Sequence, residues 1–148
     1  MCIRDSHLID TLYKKKMQYV EPVLESYREH TFTHNIENLL KSGLEFSIGA
    51  PQLHRMAEDF ATKNQSFVSE FIEKYRPEAT NIYIAMLEHA RENGELREDI
   101  NIPITSFFIS TLIIQTTVLL MGRLDTLKTS DIAIREVLSF IEHAVLKQ

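Results

Sequence analysis

Apolar residues return every three or four positions along almost the whole of this chain, and that period admits helices and little else. Leu8, Ile9, Leu12, Val20, Val23, Leu24 and Tyr27 predict a first helix reaching about His30. Pro22 should bend it, because proline removes a backbone donor and crowds the carbonyl of Gln18. Thr33 is the expected cap of a second helix carrying Ile36, Leu39, Leu40 and Leu44. Gly49-Ala50-Pro51 then breaks the pattern, with Pro51 suited to the first turn of a short helix burying Leu53, Met56, Ala57 and Phe60. From about Ser66 to Asn93 runs a long stripe of Phe67, Phe71, Ile72, Tyr75, Ala79, Ile82, Tyr83, Met86, Leu87 and Ala90, which Pro77 should kink or split. Gly94 stands where a left-handed C-terminal cap belongs. Asn101 and Pro103 open a helix to about Met121, and Thr129 or Ser130 caps a last one carrying Ile134, Val137, Leu138, Ile141 and Val145. The expectation is an all-α bundle of six or seven helices.

Four glycines and four prolines in 148 residues leave little material for a loop-rich alternative. The 16 basic and 21 acidic residues sum to −5, which gives no whole-chain attraction to nucleic acid or anionic lipid. A single cysteine, Cys2, rules out an internal disulfide and points to a reducing, cytoplasmic compartment. Residues 1–6, Met1-Cys2-Ile3-Arg4-Asp5-Ser6, match a translated sequencing-adapter end, so the genuine domain is expected over 7–148 and the gene is expected to be cut at its start.

The chain offers no catalytic motif. There is no Gly-x-Ser-x-Gly elbow and no phosphate-cradling glycine loop, so no enzyme activity and no cofactor are expected. His30 and His34 have the spacing of helical zinc ligands, but the break expected at Thr31 to Thr33 separates them, and no Glu-x-x-His occurs. No metal site is therefore expected.

Ile104 to Met121 carries no charge over 18 residues. Its seven polar residues, and flanks without an aromatic belt or basic cluster, argue against a membrane span. A helix that is apolar nearly all round must be covered on more than one side. Phe108, Thr111, Leu112 and Gln115 form one stripe, and Ile109, Ile113, Thr117 and Leu120 a second. The last helix likewise has a broad face with Val137, Phe140, Ile141 and Ala144. A twofold homodimer, in which these two helices meet their copies in a four-helix bundle, would cover both.

The stretch Ala90-Arg91-Glu92-Asn93-Gly94-Glu95-Leu96-Arg97-Glu98-Asp99-Ile100 resembles the junction before the penultimate helix in tetracycline-repressor (TetR) family regulators. Leu8-Ile9-Asp10-Thr11-Leu12-Tyr13 resembles the start of that family's linking helix, and the order of helices is similar over residues 7 to 148. The family's N-terminal helix-turn-helix has no counterpart in the sequence, a departure that truncation at the adapter-like string would explain. DNA would then be bound only through that missing domain. The resemblance implies that a small apolar or amphipathic effector enters the helical core and shifts the first helix relative to the bundle. Phe67, Phe71, Tyr83, Met86, Phe108, Thr111 and Gln115 are the expected pocket, being apolar with a few polar groups. Lys14, Lys15 and Lys16 read as a solvated helix face. The alternatives are a self-standing homodimeric helical adaptor and a bundle enzyme whose site only the fold assembles.

Overall fold

The computed structural model describes residues 3–63, 65–121 and 127–148. Six α-helices order them: α1 (Ile3–Ser26), α2 (Phe32–Gly49), α3 (Pro51–Lys63), α4 (Gln65–Glu92), α5 (Ile102–Met121) and α6 (Leu127–Val145). No strand occurs among the described residues, which carry one isolated antiparallel bridge between Leu96 and Leu146.

Both internal prolines sit inside unbroken helices, Pro22 in α1 and Pro77 in α4. Both face solvent, so water can reach the carbonyl each leaves without a donor, and the helix has no need to part. The first helix gives way to a 3-10 turn, Tyr27–Glu29, earlier than the periodicity suggests. Thr31, not Thr33, caps α2, its hydroxyl accepting from the backbone N–H of His34 at 3.3 Å. Pro51 opens α3 as expected, but Met56 is 54% exposed, and the side chains of Ala57 and Phe60 lie outside the described residues. The last helix begins at Leu127, ahead of both threonine and serine caps proposed for it.

Helices α1 and α4 run parallel. Asp10 pairs with Lys74, Tyr13 stacks on Tyr75 with centroids 3.7 Å apart, and Tyr27 meets His89 edge-on at 5.8 Å, an almost constant offset. The buried interior forms two clusters. The larger gathers Val20, Ile36, Tyr83, Met86, Leu87 and Ile109 with residues of α6; the smaller joins Ile9 and Leu12 to Phe46, with Phe71 and Tyr75 packed against it.

Residues 94–100 tie the helix ends together. Gly94, at φ +73°, lets the chain reverse after α4, with its N–H bonded to the carbonyl of Arg91 and that of Glu95 to Ala90, the double bond of a Schellman cap. The Glu95 carboxylate then accepts from the backbone N–H of Phe32 at 2.9 Å, satisfying a donor at the start of α2. Leu96 is 3% exposed. Arg97 reaches the carbonyl of Ala144 in the last turn of α6 at 3.2 Å, while Asp99 holds its guanidinium from the other side at 2.5 and 3.0 Å. Backbone bonds from Arg97 to Val145 and from Lys147 to Glu95 complete the seam. Asn101 caps α5 through the N–H of Ile104 at 3.1 Å.

Candidate functional site

The orientation of α5 decides where the candidate residues fall. Ser106 and Ser110 are fully buried, each returning its hydroxyl to its own helix, on the carbonyls of Ile102 and Phe107. Small residues permit a close approach, and the Ser110 hydroxyl lies 3.4 Å from that of Thr80 on α4. That face carries Ile109 (4% exposed) and Ile113 (8%) into the protomer core. The opposite stripe, Ile104, Phe108 and Gln115, with Phe107 beside it, faces outward, Phe108 being 65% exposed.

Ile109 and Ile113, expected at a dimer contact, thus face the protomer core, while Phe108 and Gln115, expected in a pocket, face outward. The structure does not bring together the six expected pocket residues whose side chains it describes. Tyr83 and Met86 lie in the main cluster, Phe71 borders the smaller one, and Phe108 and Gln115 are outside. Thr111 is half-buried, with an enclosed hydroxyl that has no hydrogen-bond partner among the described residues. The side chain of Phe67 lies outside the described residues. Of the expected dimer residues, Ile109, Ile113 and Ile141 are buried within the protomer and Val137 packs half-buried against its core. Phe140 (67% exposed) and Ala144 face out, and the side chains of Thr117 and Leu120 lie outside the described residues. Apolar residues run nearly all round α5, so periodicity does not tell its stripes apart. The serines were the signal that could have separated them, since small buried hydroxyls mark where one helix approaches another.

The outward faces of α5 and α6 are thus apolar in patches. Ile104, Phe107 and Phe108 stand out on the first, Ile132 and Phe140 on the second. Large apolar side chains gathered on two helices that pack together are the usual mark of a contact surface.

Lys16 was read as solvated with Lys14 and Lys15; those two are exposed, but Lys16 is not. It occupies the core-facing register of α1, one turn after Leu12 and one before Val20. The residue keeps some surface, as a long side chain does, yet burial alone pushes its ammonium below the usual lysine range. It makes no hydrogen bond or ion pair among the described residues. Tyr83, across the core on α4, is likewise desolvated, its phenol raised above the ordinary value by burial.

Near the other end of α1, Asp10 accepts from Lys74 Nζ at 2.5 Å and from the Tyr75 hydroxyl at 2.7 Å, which holds its carboxyl below the ordinary value. A lowered folded pKa contributes stability above the unfolded value, about 4, and that contribution is lost as pH falls through the folded one. Asp10→Asn should therefore melt below the wild type at pH 7, and the two should converge under acid titration below about pH 4. A melting difference unchanged from pH 7 to pH 2 would show that the carboxylate charge is not what Lys74 and Tyr75 hold.

Two other features are close to neutral for function. His30 and His34 do come together across the break, ring centroids 4.4 Å apart, but no group of three or more metal-ligating side chains occurs among the described residues. An open cleft of about 610 Å³ lies between the end of α4 and the start of α5. Its guanidinium, Arg91, is flanked by Glu88 and Glu92 and already donates to the carbonyl of Ile100. No helix among the described residues is long and apolar enough to cross a membrane.

No family model matches the sequence, and no curated protein does. A crystal structure of a TetR family transcriptional regulator from Chloroflexus aurantiacus J-10-FL is similar, with a TM-score of 0.67 at 14% sequence identity. The match covers 97% of this chain and 72% of that one. The likeness is one of architecture: over nearly all of its length this all-α chain has the fold of a TetR family regulator.

Proposed function

We propose that this chain is the effector-sensing and dimerising domain of a TetR-type transcriptional regulator, which would bind DNA through a helix-turn-helix outside residues 1–148. The observation that carries the reading is the pair of outward apolar stripes on α5 and α6, within a fold shared with such a regulator. A twofold contact would set Ile104 and Phe108 of α5 and Ile132, Phe140 and Ala144 of α6 against their copies. Phe140 and Ala144 keep the role expected of them, while Ile104, Phe108 and Ile132 take the place of Ile109, Ile113 and Ile141, which the protomer buries. The effector would be a small apolar or amphipathic molecule held between α1, α2 and α4, where the two core clusters meet. Binding one arrangement of α1 better than another, it would shift the spacing of the DNA-binding heads. On this reading the protein is a cytoplasmic homodimer and not an enzyme.

The test is mass and ligand response together. Light scattering at micromolar concentration should give twice the monomer mass. Thermal unfolding should rise saturably with an apolar or amphipathic small molecule at one site per chain. A stable monomer that responds to no such molecule would refute the proposal.

A further inference from the structure

We infer that, in the proposed dimer, α6 crosses its own copy antiparallel near Phe140, setting Glu136 of each chain against His143 of the other. The inference rests on the dimerising reading and names the register of its contact. Three observations carry it. First, the outward stripe of α6 is apolar at Ile132 (62% exposed) and Phe140 (67%), and Glu136 falls between them, one turn from each. A contact that covers both apolar side chains must also take the Glu136 carboxylate out of water, which is unfavourable unless a cation pairs with it. Second, Glu136 and His143 are both exposed, and neither has an ion pair among the described residues. Arg135, the other cation in this part of the helix, is turned toward Glu37 of α2, whose carboxyl it helps to lower. Third, His143 Nδ1 donates to the carbonyl of Ser139 at 2.7 Å, so Nε2 is left to face a partner and, once protonated, donates to a carboxylate.

The order of charges selects the geometry. In a twofold contact, a residue that meets a second residue of the other chain is met by it in return. A parallel crossing would set Glu136 on its own copy and His143 on its own copy, like against like. Phe140 lies one turn after Glu136 and about one turn before His143. An antiparallel crossing centred there sets carboxylate on imidazolium twice in every dimer. Around His143 its own chain supplies Glu142 and Lys147 on α6 and, beside Ala144, the Arg97–Asp99 pair. Those charges cancel, so they do not take the place of the carboxylate from the second copy.

Disulfide trapping and charge exchange test this in the whole 148-residue chain, with Cys2→Ser as the background for the trapping. Glu136→Cys together with His143→Cys should give an intermolecular disulfide in most of the protein under mild oxidation. Either cysteine alone should give little, because each position would lie roughly 10 Å from its own copy, too far for a disulfide. Sedimentation equilibrium at pH 6, where an ordinary imidazole is mostly protonated, reads the charges. Glu136→Lys or His143→Glu should weaken dimerisation at least about tenfold, and the two combined should recover the wild-type constant within about threefold. Both side chains are exposed in the protomer, so the exchanges leave its core untouched. No trapping by the cysteine pair, or a combined variant as weak as the single ones, would overturn the inference while leaving the dimer in place. A wild-type chain that stays monomeric would sink the dimerising reading itself, and this inference with it.

Discussion

Phe108→Glu combined with Phe140→Glu should turn the proposed dimer into a monomer at micromolar concentration with the helical content unchanged. Both rings are mostly exposed in the protomer, at 65% and 67%, so the substitutions remove nothing from its own core. Burying one such side chain contributes about 1.5–3 kcal/mol, and a twofold contact counts each change twice. Introduced carboxylates add desolvation and like-charge repulsion. Together these should weaken dimerisation by roughly a thousandfold or more, well beyond the resolution of light scattering. Ile109→Ala is the contrasting control. With Ile109 4% exposed, it should lower protomer stability by about 2–5 kcal/mol and loosen the dimer only through unfolding. Should the double glutamate chain remain a dimer, the outward stripes of α5 and α6 are not the contact.

Leu96→Ala should be the most damaging single change in the junction. The side chain is 3% exposed and sits where the ends of α2, α4 and α6 are sewn together. Truncation leaves a cavity at a point where three helix termini are already fixed by hydrogen bonds, so little can move to fill it. A loss of about 2–5 kcal/mol is expected in urea unfolding. For a domain of this size that corresponds to roughly 5–15 °C in melting temperature. Glu95→Ala and Arg97→Ala remove only a cap each and should cost about 1 kcal/mol apiece. If Leu96→Ala proves no worse than those two, the seam is held by its polar bonds and not by its buried leucine.

The same residues explain what was legible in the sequence. Gly94, Glu95, Leu96 and Arg97, which carry the resemblance to TetR regulators, close one helix and cap or pack against two others. They specify architecture, and the architecture was readable. The six helices followed from periodicity, and of what was expected at the prolines only the splitting at Pro77 is excluded by the continuous α4. Faces were harder. On α5 the apolar residues run nearly all round, so periodicity has no preferred side, and the buried Ser106 and Ser110 determine the orientation instead. Lys16 was obscured for the opposite reason. Lys14-Lys15-Lys16 reads as one charged run, yet only its last member falls in step with Leu12 and Val20. Composition groups the three lysines; helical phase separates them.

The anchoring at the end of α1 has a mechanical consequence. Tyr27 is pinned there by the Asn35 amide on its carbonyl at 2.8 Å and by the edge of the His89 ring, close to the seam that fixes α2, α4 and α6. Were Asp10 and Tyr13 to release their partners on α4, α1 would behave as a lever with its fulcrum at Tyr27. At about 1.5 Å per residue, Lys16 lies roughly 16 Å from that fulcrum and Ile3 roughly 36 Å. A tilt that displaces Lys16 by about 1 Å thus carries the backbone at Ile3 through about 2 Å. The gain is set by where along the arm the push is applied, and a push near its middle doubles the stroke at Ile3.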